Sequence, residues 1–318
     1  MSETRSSELD TAYDVCRAIA RREAKNFYYA FRVLPRDKSD AMCAIYAFMR
    51  RADDLADDES MTLEERRKAM STWTADWRAS RTMPTRNPIF TALSDAQKRF
   101  SISDDLLEQL VAGTTLDLAV SNGGVSDLQL FNPKGEMRTL QIYENFAALQ
   151  HYCYLVASVV GLVCIRIFGY SDTRAEQLAI DTGIAFQLTN ILRDIKEDVD
   201  RGRIYISADL LRENNVLPDR VLALCAGDKL EPNERKLLRG LELHAETLYR
   251  SSTELIPLLD ADSRPAMLVL VQIYSGLLNR IAIDPEAIFR GRVSVPRSKK
   301  MSILAVGFLK SWKVRLLG

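Results

Sequence analysis

The sequence from residue 187 to residue 205 reads QLTNILRDIKEDVDRGRIY, and the interpretation of the whole chain depends on it. If this stretch is helical, Gln187, Asn190, Asp194 and Asp198 follow one another at intervals of three, four and four residues, which places them on one face. The opposite face is apolar and predicts a deeply packed helix. Two carboxylates four residues apart repel each other by about 0.2–0.5 kcal/mol even at a surface, so a cation or ligand is expected to offset the repulsion. Neighbouring arginines and lysines on an ordinary surface helix are the alternative explanation.

A second copy of the pattern lies near the N-terminus, in AIYAFMRRADDLADD at positions 44–58. Tyr46, Arg50, Asp53 and Asp57 follow one another at intervals of four, three and four residues and again share one helix face. If the two helices face each other, their aspartates form a cluster of hard oxygen ligands. Such ligands suit Mg²⁺, which keeps several waters and takes further ligands from substrate phosphates. The arginines near both pairs, Arg50, Arg193 and Arg203, suit a diphosphate.

These motifs resemble those of the squalene/phytoene synthase family of head-to-head prenyl transferases. Four stretches carry the resemblance: residues 50–57, residues 187–205, the run YCYLVASVVG at 152–161, and Tyr274 followed by RVSVPRSKK at 292–300. The last of these is similar to the C-terminal region of the bacterial carotenoid and hopanoid branches. The resemblance extends from about residue 13 to residue 300, with the motifs in the family's order.

The resemblance implies a catalytic site and assigns its residues. Asp53, Asp57, Asp194 and Asp198 are expected to be catalytic and to hold Mg²⁺, with Mn²⁺ as a substitute. The hydroxyl of Tyr152 is expected to handle protons or to stabilise carbocation intermediates, whereas an isolated tyrosine in such an apolar run would be interpreted as a core residue. The expected substrate-binding residues are Tyr46, Arg50, Gln187, Asn190, Arg193, Arg203, Asn26, Phe27 and Phe31.

The chain departs from the family pattern before the first aspartate motif. Members commonly carry a Ser-x-Ser-Phe-like segment there, and this chain has EAKNF at 23–27, which lacks both hydroxyls. Lys25 and Asn26 still offer donors to a diphosphate. The change leaves the mode of substrate docking and the product open.

The implied reaction joins two prenyl diphosphates through a cyclopropyl diphosphate by a 1′-1 coupling. Phe31 lies one turn after Phe27 and is bulky enough to limit the chains to C15, which indicates farnesyl diphosphate and presqualene diphosphate, dehydrosqualene or squalene as product. Phytoene from two C20 geranylgeranyl diphosphates is the alternative. NADPH is required only if the product is squalene.

A third hypothesis comes from a different class of protein. Some relatives are similar in sequence but serve as non-catalytic assembly factors, and they have lost their aspartates. This chain keeps both aspartate pairs and their arginines, which favours an enzyme. No obligate protein partner is indicated.

Composition limits the possible functions. The chain has 318 residues, 47% of them hydrophobic, and a formal net charge of zero, which argues against nucleic-acid binding. Residues 1–9 are polar and are expected to form a flexible leader on a cytoplasmic protein. The five cysteines are odd in number and lack Cys-x-x-Cys spacing, so reduced core thiols are expected.

Helical periodicity dominates, and few alternating runs occur apart from short ones near 203–207 and 292–295. Helices are predicted at 10–34, at 39–58 with Ser39 or Asp40 as cap, after a capping box of Thr62 and Glu65, and from Ser103 to about residue 120. Residues 10–318 are therefore expected to form a single all-α domain. The resemblance makes this an isoprenoid-synthase-type helical bundle around a central apolar cavity.

Two apolar segments raise the question of a membrane. The uncharged run at 154–165 has twelve residues, too few for a span of about 20, and is expected to pack in the core. Residues 299–317 form a basic amphipathic segment, which either lies peripherally on the inner face of a membrane or packs as a final helix with its lysines in water. Candidate tunnel residues are Phe27, Phe31, Val33, Leu34, Ile45, Phe48, Val156, Val159, Val160, Leu162 and Phe186.

Overall fold

The computed structural model describes residues 7–118 and 124–317, without the side chains of residues 25, 26, 117 and 315–317. In these ranges the helices are α1 Ser7–Glu23, α2 Lys25–Phe31, α3 Arg36–Ala56, α4 Leu63–Ala79, α5 Pro88–Phe100, α6 Asp104–Thr115, α7 Phe146–Cys153, α8 Val159–Phe168, α9 Arg174–Asp200, α10 Ala208–Glu213, α11 Pro218–Cys225, α12 Pro232–Leu255, α13 Arg264–Ile283, α14 Ala287–Arg290 and α15 Arg297–Leu317. The strands are β1 Val125–Phe131, β2 Met137–Tyr143 and β3 Arg203–Ile204. The predicted all-α class is confirmed, with one small sheet added.

Two hydrophobic clusters form the core. One is built largely from α1 to α6 and α8, and the other from β2, α9, α12 and α13. Phe27 and Phe186 pack against both clusters. Helix α3, which carries the first aspartate motif, belongs to the first cluster, and the part of α9 that carries the second motif belongs to the other.

A π-helical turn, Tyr154–Ser158, joins α7 to α8 and packs against α6 and α9. A Cβ atom on Gly113 would lie 2.7 Å from the carbonyl oxygen of Leu155, and one on Gly183 would lie 2.6 Å from the Cα of Ser158. Only glycine permits these backbone approaches. Such π-turns occur frequently at functional sites, and this one contributes Leu155 and Val156 to the cavities described below.

The sheet was not predicted, apart from the short run that includes β3. Strands β1 and β2 pair antiparallel from Val125 opposite Tyr143 to Phe131 opposite Met137, and β2 pairs parallel with β3 through Gln141 and Arg203. The signal in the sequence was the alternation of 125–131 and 137–143 on either side of the turn Asn-Pro-Lys-Gly. The run at 292–295 is not a strand.

Several predicted helix boundaries were wrong. The helix expected at 10–34 is interrupted at Ala24, where the chain changes to an i to i+3 hydrogen bond from Phe27 N to Ala24 O of 2.9 Å. Helix α3 begins at Arg36 and not at Ser39, because Asp40 is buried and accepts a hydrogen bond of 2.6 Å from Arg17 instead of capping the helix. The capping box of Thr62 and Glu65 and the cap at Ser103 are confirmed. The predicted end of the latter helix at residue 120 lies outside the described residues.

Part of the predicted leader is helical. Helix α1 already begins at Ser7, where Thr11 Oγ1 donates to Ser7 O at 2.9 Å, so residues 7–9 are helical, and residues 1–6 lie outside the described part. All five cysteines are free thiols, as predicted.

Two helical segments, 146–168 and 264–283, are long and apolar enough to cross a membrane. Burial covers 44% and 50% of their most apolar windows, and both contribute residues to the central cavity. They are therefore interpreted as core helices.

Candidate active site

An acidic pocket lies between α3 and α9, closed on one side by the π-turn and on the other by β3. It is lined by Asp53, Asp57, Tyr152, Gln187, Asn190, Asp194, Asp198 and Arg203, together with Arg201 and Tyr205. The two aspartate pairs, which are far apart in sequence, thus share one cavity. Arg201 and Arg203 supply positive charge at its edge.

A second cavity, with mostly apolar walls, adjoins the acidic pocket. Phe27, Phe31, Tyr46 and Arg50 line it, together with apolar residues that include Met42, Cys164, Phe168, Met267 and Leu270. Met49, Asp53, Val156, Gln187 and Asn190 line both cavities. A ligand with a charged head and an apolar tail therefore has complementary surfaces on the two sides of this boundary.

Burial and like charge act on the carboxyl group of Asp198. Burial, and secondarily the carboxylate of Asp194, raises its pKa from 3.8 to about 7, against the opposing effect of Arg201 and Arg203. A nearby cation would lower the pKa of Asp198, because its charge would compensate both for the loss of hydration on burial and for the repulsion from Asp194.

Asp194 is held by arginines from two elements. Arg193 Nε donates to Asp194 Oδ1 at 2.7 Å, and a second bond joins Arg193 Nη2 to Asp194 Oδ2. Arg292, which precedes α15, brings its Nε to 3.4 Å from Asp194 Oδ1 and its Nη1 to 3.3 Å from Glu197. Burial, followed by the nearby Arg193, Arg292 and Arg297, lowers the pKa of Lys300. The start of α15 thus adds positive charge beside the second aspartate pair.

Two buried polar atoms of the cavity walls have no hydrogen-bond partner among the described residues. These are Asn190 Oδ1 and Arg50 Nε, although Asn190 Nδ2 donates to Gln187 Oε1 at 3.3 Å and Arg50 Nη2 lies 2.7 Å from Asp54. Buried polar groups normally have partners, so such exceptions at a cavity indicate a ligand or ordered water. An amide oxygen suits a hard cation, and a guanidinium suits a phosphate.

Three tyrosines stack at the acidic pocket. The ring of Tyr152 lies 5.1 Å from that of Tyr205 and 5.5 Å from that of Tyr143, and Tyr152 OH donates to Tyr205 OH at 3.3 Å. Tyr143 ends β2 and Tyr205 follows β3, so the sheet positions two of the three rings. This sheet therefore has a role in building the site that the sequence analysis did not anticipate.

The family profile described as squalene/phytoene synthase matches residues 20–299, which is most of the chain. The chain belongs to this family.

Two relatives and two solved structures are similar to this chain. A phytoene synthase of Mycobacterium bovis is 31% identical over 313 residues, covering 96% of this chain and 93% of the relative. A presqualene diphosphate synthase of Zymomonas mobilis is 32% identical over 261 residues, covering 81% and 80%. A dehydrosqualene synthase structure has a TM-score of 0.78 at 27% identity, covering 96% of this chain and 98% of the other. A squalene synthase of Alicyclobacillus acidocaldarius, at 22% identity, has the same fold with a TM-score of 0.74, covering 88% and 96%.

As a member of the squalene/phytoene synthase family, the protein is a prenyl transferase. Within residues 7–118 and 124–317, no three His, Cys, Asp or Glu side chains converge as a closed metal cage would require. Two facing carboxylate pairs and an unsatisfied amide oxygen still fit Mg²⁺, because this ion retains water and shares ligands with phosphates.

Not all of the predicted site residues line the two cavities. Arg193 lines neither cavity, because its guanidinium bonds to Asp194 and the residue is only 9% exposed, so its direct contact with the diphosphate stays a prediction. The side chain of Asn26 lies outside the described residues. Among the predicted tunnel residues, five are packed in the core and do not line the cavity: Val33, Leu34, Phe48, Val159 and Leu162.

Some residues of the site were missed. Tyr274 lines the apolar cavity and stacks on Phe186 at 4.3 Å between ring centroids, and Arg292 approaches Asp194. Both lie in stretches that carried the family resemblance, so that signal was already present. Tyr143 lies in the alternating run of β2 and Tyr205 in the 187–205 stretch, but neither pattern indicated that the two rings meet Tyr152.

Proposed function

We propose that this synthase joins two molecules of farnesyl diphosphate head to head, through presqualene diphosphate, and releases diphosphate. The observation that carries the proposal is the direct opening of an apolar cavity, narrowed by aromatic rings, onto a pocket with two aspartate pairs. Presqualene diphosphate, dehydrosqualene and squalene are the candidate products, and squalene alone requires NADPH as hydride donor.

Ionisation of an allylic diphosphate separates a delocalised carbocation from a highly charged leaving group. The acidic pocket suits the leaving diphosphate, and the apolar cavity suits the carbocation. Asp53, Asp57, Asp194 and Asp198 would hold Mg²⁺, or Mn²⁺ in its place, and the bound ion would neutralise the charge on the leaving diphosphate. Arg50, Arg201 and Arg203 bind the diphosphate oxygens. Arg193 acts indirectly, by orienting Asp194.

The carbocation is left on the apolar side of the boundary. Phe27, Phe186 and Tyr274 surround that space with aromatic faces, which attract a cation, and the apolar wall excludes the water that would otherwise capture it. The hydroxyl of Tyr152, held by Tyr205 at the edge of the acidic pocket, is positioned to transfer a proton near the leaving group.

Chain length is argued from the cavity walls. Phe31 lines the cavity, is 3% exposed and packs edge-on against the ring of Tyr46, another lining residue, at 6.3 Å between ring centroids, so the two rings restrict the width of the cavity. Five additional carbons would gain about 4 kcal/mol if the cavity accommodated them, at about 0.8 kcal/mol per methylene. We infer that Phe31 prevents this gain and makes C15 the preferred length.

The synthesis of phytoene from two geranylgeranyl diphosphates is the second candidate. Its support is the similarity to phytoene synthases over nearly the whole chain, including those of Mycobacterium bovis and Arthrospira platensis at 31% and 30% identity.

The experiment uses purified protein with Mg²⁺ and either farnesyl or geranylgeranyl diphosphate, each with and without NADPH, followed by identification of the extracted products. Consumption of farnesyl diphosphate at a kcat/KM at least tenfold higher supports the proposal. Preferential turnover of the C20 substrate would assign phytoene. Failure to consume either substrate would refute both candidates.

A further inference from the structure

The last helix, α15, has two apolar faces. One packs on the domain, and the other forms a stripe that faces outward. Met301, Phe308, Leu309 and Trp312 are spaced by seven, one and three residues and fall on one face, with exposed fractions of 54%, 37%, 65% and 64%. Large side chains in one continuous stripe differ from the scattered apolar residues of a normal surface.

The orientation of α15 is set by its inner face. Ile303 and Leu304 are buried, Ser311 Oγ donates to Val33 O at 2.9 Å, and a Cβ on Gly307 would lie 2.5 Å from Val269 Cγ2. The helix therefore cannot rotate to bury its outer stripe without losing these contacts.

Positive charge accompanies the stripe. Residues 297–318 contain six lysines and arginines and no aspartate or glutamate. Lys299, Lys310 and Lys313 are exposed, and Arg32, at the end of α2, lies with its guanidinium 5.7 Å from the ring of Phe308. An outward apolar stripe bordered by cations matches a surface that has anionic headgroups above an apolar layer.

We propose that α15 docks the protein on an anionic phospholipid bilayer, with Met301, Phe308, Leu309 and Trp312 inserted at the level of the headgroups and the flanking lysines bound to the lipid phosphates. A second copy of the chain fits less well, because it would bring two basic helices face to face and their like charges would repel. Of the two expectations for this segment, packing of a final helix on the domain is confirmed, and contact with a membrane stays a prediction.

The position of α15 would bring the apolar cavity close to the bilayer when the helix is docked. It packs on α13, which contributes Met267, Leu270 and Tyr274 to the apolar cavity, and it contacts the end of α2, which contributes Phe27 and Phe31. A docked helix would hold the cavity walls one helix layer from the bilayer. The inference concerns the lipid surface alone and does not depend on which prenyl diphosphate is the substrate.

The test is flotation of the full chain with phosphatidylcholine vesicles and with vesicles that also contain phosphatidylglycerol, at low and at physiological salt. We expect binding to the anionic vesicles that weakens with salt. The double variant Leu309→Glu, Trp312→Glu should lower the partition coefficient at least tenfold, and Lys310→Glu with Lys313→Glu should lower it on anionic vesicles. Leu217→Glu is the matched control, because Leu217 is 66% exposed at the start of α11, and it should bind as the wild type does.

Tryptophan fluorescence gives an independent readout. Trp73 and Trp77 are 9% and 1% exposed, so quenching by brominated acyl chains reports Trp312. Trp312→Leu should abolish the quenching and still float, since leucine keeps the apolar contact. Circular dichroism and light scattering are recorded for every variant.

Absence of wild-type flotation, or equal flotation of the Leu309→Glu, Trp312→Glu variant, would overturn the proposal. A dimer of the wild type that this variant dissociates would assign the stripe to a second copy and would also overturn it. Because no substrate is present, these outcomes are independent of the proposed reaction.

Discussion

Asp194 shows how much of the site depends on single carboxylates. It is held by Arg193 and approached by Arg292, and it lines the pocket opposite the first aspartate pair. The arginines keep the carboxylate oriented where positive charge is already available. Its role as a metal ligand is a prediction that a substitution tests directly.

Asp194→Asn is expected to lower kcat/KM by a factor of at least about 1000, because an amide loses the charge that holds a divalent cation. The fold should persist, as monitored by circular dichroism. Asp200→Asn is the matched control: it lies on the same helix, pairs with Lys196 and does not line the pocket. An Asp194→Asn variant with normal turnover would refute the assigned role.

Asp198 is expected to make the protein less stable as the pH rises. Because its pKa is about 7 in the folded state, above the ordinary value of 3.8 that applies to the unfolded chain, the folded state binds the proton more tightly. The resulting stability is complete below about pH 4 and is lost as the pH rises through 7. Asp198→Asn should therefore raise the free energy of unfolding by about 1–2 kcal/mol at pH 8, in Mg²⁺-free buffer.

Chemical denaturation at pH 4, 6 and 8 measures this effect. The gain should be absent at pH 4 and should grow towards pH 8, whereas Asp200→Asn should show no such trend. A gain that is the same at all three values would mean that the carboxyl charge is not the cause.

At the scale of elements, the site depends on the contact between α9 and the π-turn. Gly183 faces the backbone of Ser158 and also lines the apolar cavity. The backbones meet there without any intervening side chain, so the two halves of the cavity wall stay close together.

Gly183→Ala should destabilise the protein by about 1–3 kcal/mol, because its Cβ would lie 2.6–2.9 Å from backbone atoms of Ser158 and Ala157. Gly240→Ala is the matched control, since Gly240 is exposed on α12 with open space around it. There, alanine should stabilise the helix by up to about 1 kcal/mol. Thermal unfolding of both variants is the measurement, and equal melting temperatures would contradict the packing argument.

Three elements also meet at a buried lysine. Lys38, on α3, donates to Phe168 O at 2.8 Å, Asp262 at 2.7 Å, Ser263 Oγ at 3.0 Å and Asp260 at 3.1 Å, which joins α3 to the end of α8 and the start of α13. Phe168 also lines the apolar cavity. The network therefore links one part of the cavity wall to α3 and to the start of α13.

Lys38→Met should lower the free energy of unfolding by roughly 1–3 kcal/mol, because it removes the cation that pairs with Asp260 and Asp262 and one of the two donors to Phe168 O. The exposed Lys68→Met serves as control and should change the free energy of unfolding by less than about 0.5 kcal/mol. Denaturation in urea compares the two, and a loss of similar size in both would show that the network contributes little.

For the whole molecule, the length of the apolar cavity decides which substrate is accepted. Its walls come from α2, α3, the π-turn, α8, α9, α12 and α13, so no single element sets its length. Phe31 lines this cavity and does not line the acidic pocket, so a substitution can remove its ring without a direct change to the aspartate pairs.

Phe31→Ala is expected to shift the ratio of kcat/KM for C20 over C15 substrates upwards by at least tenfold, because the deleted ring opens space for five more carbons. Competition between farnesyl and geranylgeranyl diphosphate measures the ratio. Phe48→Leu is a suitable control, as Phe48 is buried nearby but does not line the cavity. An unchanged ratio would remove Phe31 as the length determinant.

Local patterns in the sequence were sufficient for the helical class, for the two aspartate motifs and for the capping box at Thr62. Helical periodicity and motif spacing are properties of neighbouring residues, so they can be read without knowing the fold. Two alternating runs around an Asn-Pro-Lys-Gly turn are also a local pattern that predicts the hairpin of β1 and β2, but the sequence analysis did not predict it.

Tertiary structure alone decided which residues line the cavity and which are core. Phe31 and Phe48 are both buried aromatic residues, and only the packing of α2 and α3 against distant helices separates them. The same holds for Arg193, whose guanidinium turns to Asp194, and for Tyr143 and Tyr205, which a small sheet brings to Tyr152. Neighbouring residues determined the helices and the charges of this protein, whereas the site required contacts between segments far apart in the chain, which no local pattern encodes.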